Sequence, residues 1–132
     1  MSRPETRLFA ALAACLVLWA GCQPPARTSP EIELDWSVKP DPPVTGPAVV
    51  SLTLTDAKSG APVRGAEVRL EGNMSHPGMK PVFGAAREVG PGRYEAPIEF
   101  TMGGDWFILI DATLRDGRTL QRQVDVRGVR SR

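Results

Sequence analysis

From residue 31 onward the chain alternates apolar and polar positions with a period of two. Ile32, Leu34, Trp36 and Val38 interleave with Glu31, Glu33, Asp35 and Ser37, as a strand that buries one face requires. Further β-branched or alternating runs follow at 49–55, 66–70 and, more weakly, 82–89, and Tyr94, Ala96, Ile98 and Phe100 alternate cleanly. Residues 106–114 are almost continuously apolar, which predicts a central strand covered on both faces. A last run occupies 120–126. Turn formers separate these runs: a proline-rich loop at 40–47, Lys58-Ser59-Gly60, a breaker-rich loop at 74–81, Gly90-Pro91-Gly92, Met102-Gly103-Gly104 and Asp116-Gly117. About seven short strands with turns between them predict an all-β, immunoglobulin-like β-sandwich, with an open barrel as the alternative. Trp36 and Trp106 are expected to anchor its core.

Only the N-terminus breaks the β pattern. Residues 1–7 carry Arg3 and Arg7, residues 8–20 are apolar and uncharged, and Gly21-Cys22 precedes a polar Gln23-Pro24-Pro25. That is the layout of a secretory leader, and its apolar run falls short of the roughly 20 residues that span a bilayer. Ala20-Gly21-Cys22 resembles the lipobox of bacterial lipoproteins, which implies cleavage before Cys22 and diacylglycerol on its thiol. Leu12-Ala13-Ala14-Cys15 matches letter by letter but would leave an apolar stretch after the cut, so position favours Cys22. The expected organisation is a signal peptide at 1–21, a flexible proline-rich tether at 22–30 and one domain at 31–132. The expected location is outside the cytoplasm, anchored by lipid to a bacterial membrane and facing the periplasm or the cell exterior.

Composition narrows the function. A formal net charge of +1 provides no field to gather nucleic acid, and Arg127, Arg130 and Arg132 read as a frayed basic tail. Both cysteines, Cys15 and Cys22, lie in or beside the leader, so the domain is expected to stand on packing without a disulfide. The sole histidine is His76, and no nucleophile elbow or phosphate loop is present, so neither an enzyme nor a small-molecule substrate is expected. Asp105 and Asp111 read as ordinary turn and strand-face charges.

The unusual chemistry is Met74-Ser75-His76-Pro77-Gly78-Met79, two thioethers and the imidazole in one loop. Thioether sulfur suits Cu(I) and imidazole suits either oxidation state of copper, whereas Mg and Ca want oxygen. In a sandwich, the loop after the third run and the loop after the fifth fall at the same end, which brings Met102 to the same pole. Three of the four methionines would then sit near His76. The competing reading makes the methionines core plugs and His76-Pro77-Gly78 a plain turn.

Three motifs in order carry a family resemblance: 74–79, then Gly90-Pro91-Gly92-Arg93-Tyr94, then Phe100-Thr101-Met102-Gly103-Gly104-Asp105-Trp106. Together they resemble the YtkA-like domain, related to the FixH group, over roughly residues 49–126. The resemblance implies an immunoglobulin-like fold that binds copper outside the cytoplasm, a metallochaperone or buffering role serving a respiratory oxidase or copper-export component, and Met74, His76, Met79 and Met102 at the ion. Separately, residues 58–68 resemble a turn of carboxypeptidase-regulatory-like sandwich domains, which are interaction modules. A non-metal structural module of a cell-envelope assembly is accordingly the alternative function.

Overall fold

The computed structural model describes residues 31–132, so Cys22, the leader and the tether lie outside the described residues. Strands β1 (Ile32–Lys39), β2 (Gly46–Asp56), β3 (Glu67–Asn73), β4 (Val82–Ala85), β5 (Arg87–Gly90), β6 (Arg93–Phe100), β7 (Gly104–Thr113) and β8 (Thr119–Val129) form two antiparallel four-stranded sheets, ordered β1-β2-β6-β5 and β4-β3-β7-β8. The alternating positions turn inward together. Ala48, Val50 and Leu52 of β2 stand opposite Ile98, Ala96 and Tyr94 of β6, while Val68 and Leu70 of β3 and Trp106, Ile108 and Ile110 of β7 supply the facing layer. Phe100 and Trp106 join the two layers edge to face, with ring centroids 5.2 Å apart, the arrangement that aromatic quadrupoles prefer. The all-β sandwich expected from the alternation is the observed fold.

The strand count is eight because the weak run at 82–89 divides between sheets. Ala86 N–H donates to Val68 C=O at 2.9 Å, closing the pairing of β4 with β3, and the chain then crosses so that β5 pairs with β6. One strand pairing on both sheets in turn has no distinct hydrophobic signature, since each half is only four residues long.

Three other expectations are corrected. β7 is central in its sheet but is covered on one face only: Phe107 and Leu109 are half-buried and Asp111 is exposed. Trp36 lies on β1, an edge strand, and remains 37% exposed; among the described residues Trp106 alone is the buried indole. The C-terminal arginines do not fray. Val129 is buried, Arg130 exchanges backbone hydrogen bonds with Pro43 and Thr45, and Arg132 N–H donates to Thr45 Oγ1 at 3.1 Å.

The sandwich has two chemically distinct poles. At one, Glu31 pairs with Lys58 and with Arg118 (3.0 Å), and Arg118 also pairs with Asp116 (2.8 Å). Asp56 Oδ1 accepts the N–H groups of Lys58 and Ser59, an Asx-type turn. Just inside this pole the buried Tyr94 hydroxyl donates to Val63 C=O at 2.7 Å and accepts from Ala66 N–H at 3.0 Å. The other pole lies across the 11 residues of β2, about 35 Å at the usual strand rise, and carries the 74–81 loop and the turn between β6 and β7.

Candidate metal centre

β3 ends at Asn73, and Met74 follows at once. The chain then reverses through Ser75-His76-Pro77-Gly78, where Met79 N–H donates to His76 C=O at 3.3 Å and Gly78 takes φ +79°, a left-handed value glycine adopts without a Cβ penalty. The β6–β7 turn approaches from the adjacent strand of the same sheet. There Gly104 has φ +128°, and a Cβ built on it would stand 2.9 Å from Met74 Cε. The missing side chain is therefore what lets the Met74 thioether reach over this turn.

Between the two segments lies a shallow depression of about 190 Å³, lined by Met74, Ser75, His76, Gly104 and Asp105. Met74 is half-buried and packs against the core, whereas His76 is exposed. Asp105 arrives there through an irregularity in the β7–β8 register between Gly104 and Trp106. Bulges of this sort re-aim a side chain. Its Oδ1 accepts Gly128 N–H at 2.8 Å, and Gly128 itself takes a left-handed φ of +65°.

Met79 and Met102 belong to the same pole but do not line this depression. Met79 is half-buried against the core, and Met102 is 47% exposed on the turn. The turn itself is held by Trp106, whose indole N–H donates to Met102 C=O at 2.9 Å. Trp106 acts here as a core anchor with a satisfied polar end. Of the residues expected at an ion, Met74 and His76 are thus brought together directly, and Met79 and Met102 flank them. Asp105 is the member that reading the sequence assigned to ordinary turn polarity; the signal that could have raised it is its position directly after the glycine pair that admits Met74.

No three His, Cys, Asp or Glu side chains converge among the described residues. The donors that the depression does offer are the Met74 thioether, the His76 imidazole and the Asp105 carboxylate. That donor set fits a soft or borderline ion such as copper and suits calcium or magnesium poorly.

The fold and this pole define an immunoglobulin-like sandwich with a methionine- and histidine-bearing end. The YtkA-like family model matches residues 29–111, well over half the chain, and the protein belongs to that family. The match begins earlier than the motifs suggested, taking in β1, and stops within β7. No curated protein matches. Among solved structures, a DUF4785 family protein from Legionella pneumophila is similar with a TM-score of 0.51 at 11% identity, over 79% of this chain and 30% of that one. The chain thus spans under a third of that protein, and the likeness concerns the fold alone. The soluble domain of PmoD from a Methylocystis species is similar at 14% identity, over 73% of this chain and 89% of that domain, with a TM-score of 0.46. Murine CRIg is similar at 13% identity, over 76% of this chain and 98% of its own, with a TM-score of 0.41.

Proposed function

We propose that this protein is a lipid-anchored, exported copper-binding domain that delivers copper to, or buffers it for, a respiratory oxidase or a copper-handling system. One observation carries the reading: Met74 packs over Gly104 and shares with His76 the depression between the two pole segments, so a thioether and the only imidazole of the chain face one opening. Met79 and Met102 stand beside it at the same pole as further thioethers. Thioethers need no deprotonation to bind and do not form disulfides in an oxidising compartment, which suits a site outside the cytoplasm. Copper bound there would gain soft coordination that is readily exchanged with a partner's ligands.

The anchoring half of the reading rests on Cys22 and the leader ahead of it. A tether that enters at Glu31 attaches to the ion-paired pole. The His/Met pole then lies about one strand length from the attachment, where a partner can reach it.

The test is metal analysis and Cu(I) titration against a competing chelator. The chain carries Cys15→Ser and Cys22→Ser so that no thiol competes, and is compared with the same chain bearing His76→Ala and Met79→Ala. Stoichiometric Cu(I) that is lost in the variant, while circular dichroism shows the variant still folded, is the expected result. Equal binding in both chains would falsify the site.

A second reading, a non-metal interaction module of an envelope assembly, is favoured by Phe83. It is 71% exposed on edge strand β4, and its row on the outer sheet face continues across Glu71 to the half-buried Leu109. Co-purification of one envelope protein whatever the copper supply, and its loss with Phe83→Ser, would select this reading.

A further inference from the structure

We infer that Asp105 is a third donor of the pole, an oxygen ligand that adapts the Met74/His76 site to Cu(II) as well as Cu(I). The inference rests on the copper reading above and goes beyond it, since the sequence motifs point only to sulfur and imidazole.

The residues that line the depression are not the ones a purely thioether site would need. Met79 and Met102, two of the three methionines near His76, lie outside it, and Asp105 lies within it. The Asp105 carboxylate is held in place by its backbone neighbours: Oδ1 takes the Gly128 N–H at 2.8 Å, across the register irregularity of β7 and β8. Oδ2 has no hydrogen bond or ion pair among the described residues. Arg127, which lines a neighbouring depression together with Asp105, is engaged with Asp125 at 3.2 Å. One carboxylate oxygen is thus anchored and the other is free to face a cation, as in a ligand oriented by a bond from its second atom.

The chemistry follows from the donor types. Imidazole nitrogen with carboxylate oxygen favours Cu(II), whereas thioether sulfur favours Cu(I). Met74 and Asp105 would therefore act on opposite oxidation states, with His76 common to both. A site so composed can hold either oxidation state of copper, whereas a sulfur-only site favours Cu(I).

The experiment measures Cu(I) and Cu(II) affinities separately by chelator competition on the full chain carrying Cys15→Ser and Cys22→Ser. Asp105→Asn and Met74→Leu are compared with their parent, and the Cu(II) forms are examined by electron paramagnetic resonance. Asparagine keeps an Oδ1 acceptor for Gly128 N–H, so the bulge and the fold are retained. Asp105→Asn should weaken Cu(II) by about tenfold or more, alter the Cu(II) spectrum and leave Cu(I) affinity within about twofold. Met74→Leu should do the reverse. If the parent binds copper and Asp105→Asn changes neither affinity, or lowers both equally, the role of Asp105 is overturned while the copper reading stands. If the parent binds neither ion, both fall together.

Discussion

The Met74 methyl group occupies the space in front of Gly104, 2.9 Å from where a Cβ on that glycine would stand. Gly104→Ala therefore has two effects. Its φ of +128° is strained for any L side chain, which should destabilise the domain by about 1–3 kcal/mol, and the new methyl should push Met74 away from the depression. Thermal unfolding reads the first effect. A Cu(I) affinity that falls in the folded variant, at temperatures well below its transition, reads the second.

The two indoles of the domain should respond very differently to truncation. Trp106 is almost wholly buried, stacks edge-on against Phe100 and fixes the β6–β7 turn through Met102 C=O. Trp106→Ala should cost about 3–5 kcal/mol. Trp36 lies on an edge strand and is over a third exposed, so Trp36→Ala should cost only about 1–2 kcal/mol. Denaturant titration of both variants checks the ordering, and equal costs would contradict the burial described.

Tyr94→Phe leaves the ring in the core but strands Ala66 N–H and Val63 C=O, both partners of its hydroxyl. Leaving these half-buried backbone groups without their partner should destabilise the protein by about 1 kcal/mol. Hydrogen exchange at Ala66 should quicken more than at the central residues of β2.

Stability should decline on the acid side through the pole where Glu31 enters. The hydrogen bond and charge of Lys58 hold the Glu31 carboxyl below its ordinary value, the Ser59 N–H does the same for Asp56, and the Arg118 N–H for Asp116. Native values below the unfolded ones mean that these groups contribute stability above the ordinary carboxylate range near pH 4. That contribution is lost as the pH falls through the lowered native values. Lys58, raised by its bond to Glu31, behaves oppositely: its contribution is present below the ordinary ammonium value and is lost as the pH rises through the raised one. Melting temperature followed against pH should show a shallower acid limb in Glu31→Gln than in the parent, and its alkaline limb should flatten as well.

What could be read from residue order was whatever depends on local repetition. Period-two alternation in β6 specified a strand and its inward face because strand geometry sends successive side chains to opposite sides. Glycine-rich turns placed the reversals for the same local reason. The proximity of the 74–81 loop to the Met102 turn was also legible, since it follows from strand order in a sandwich.

Tertiary structure decided what depends on a neighbour. Whether Trp36 is core or rim was settled by β1 lying at a sheet edge, and whether β7 is covered once or twice by the absence of a third layer among the described residues. The division of residues 82–90 arose because Ala86 closes one ladder just before the chain joins the other. At the candidate site, spacing alone brought His76 and the methionines to one pole. Which of them share an opening, and that Asp105 joins them, was set by the empty space over Gly104 and by a register irregularity against β8. Such contacts depend on atoms from strands far apart in sequence, and no local pattern of hydrophobic and polar residues encodes them.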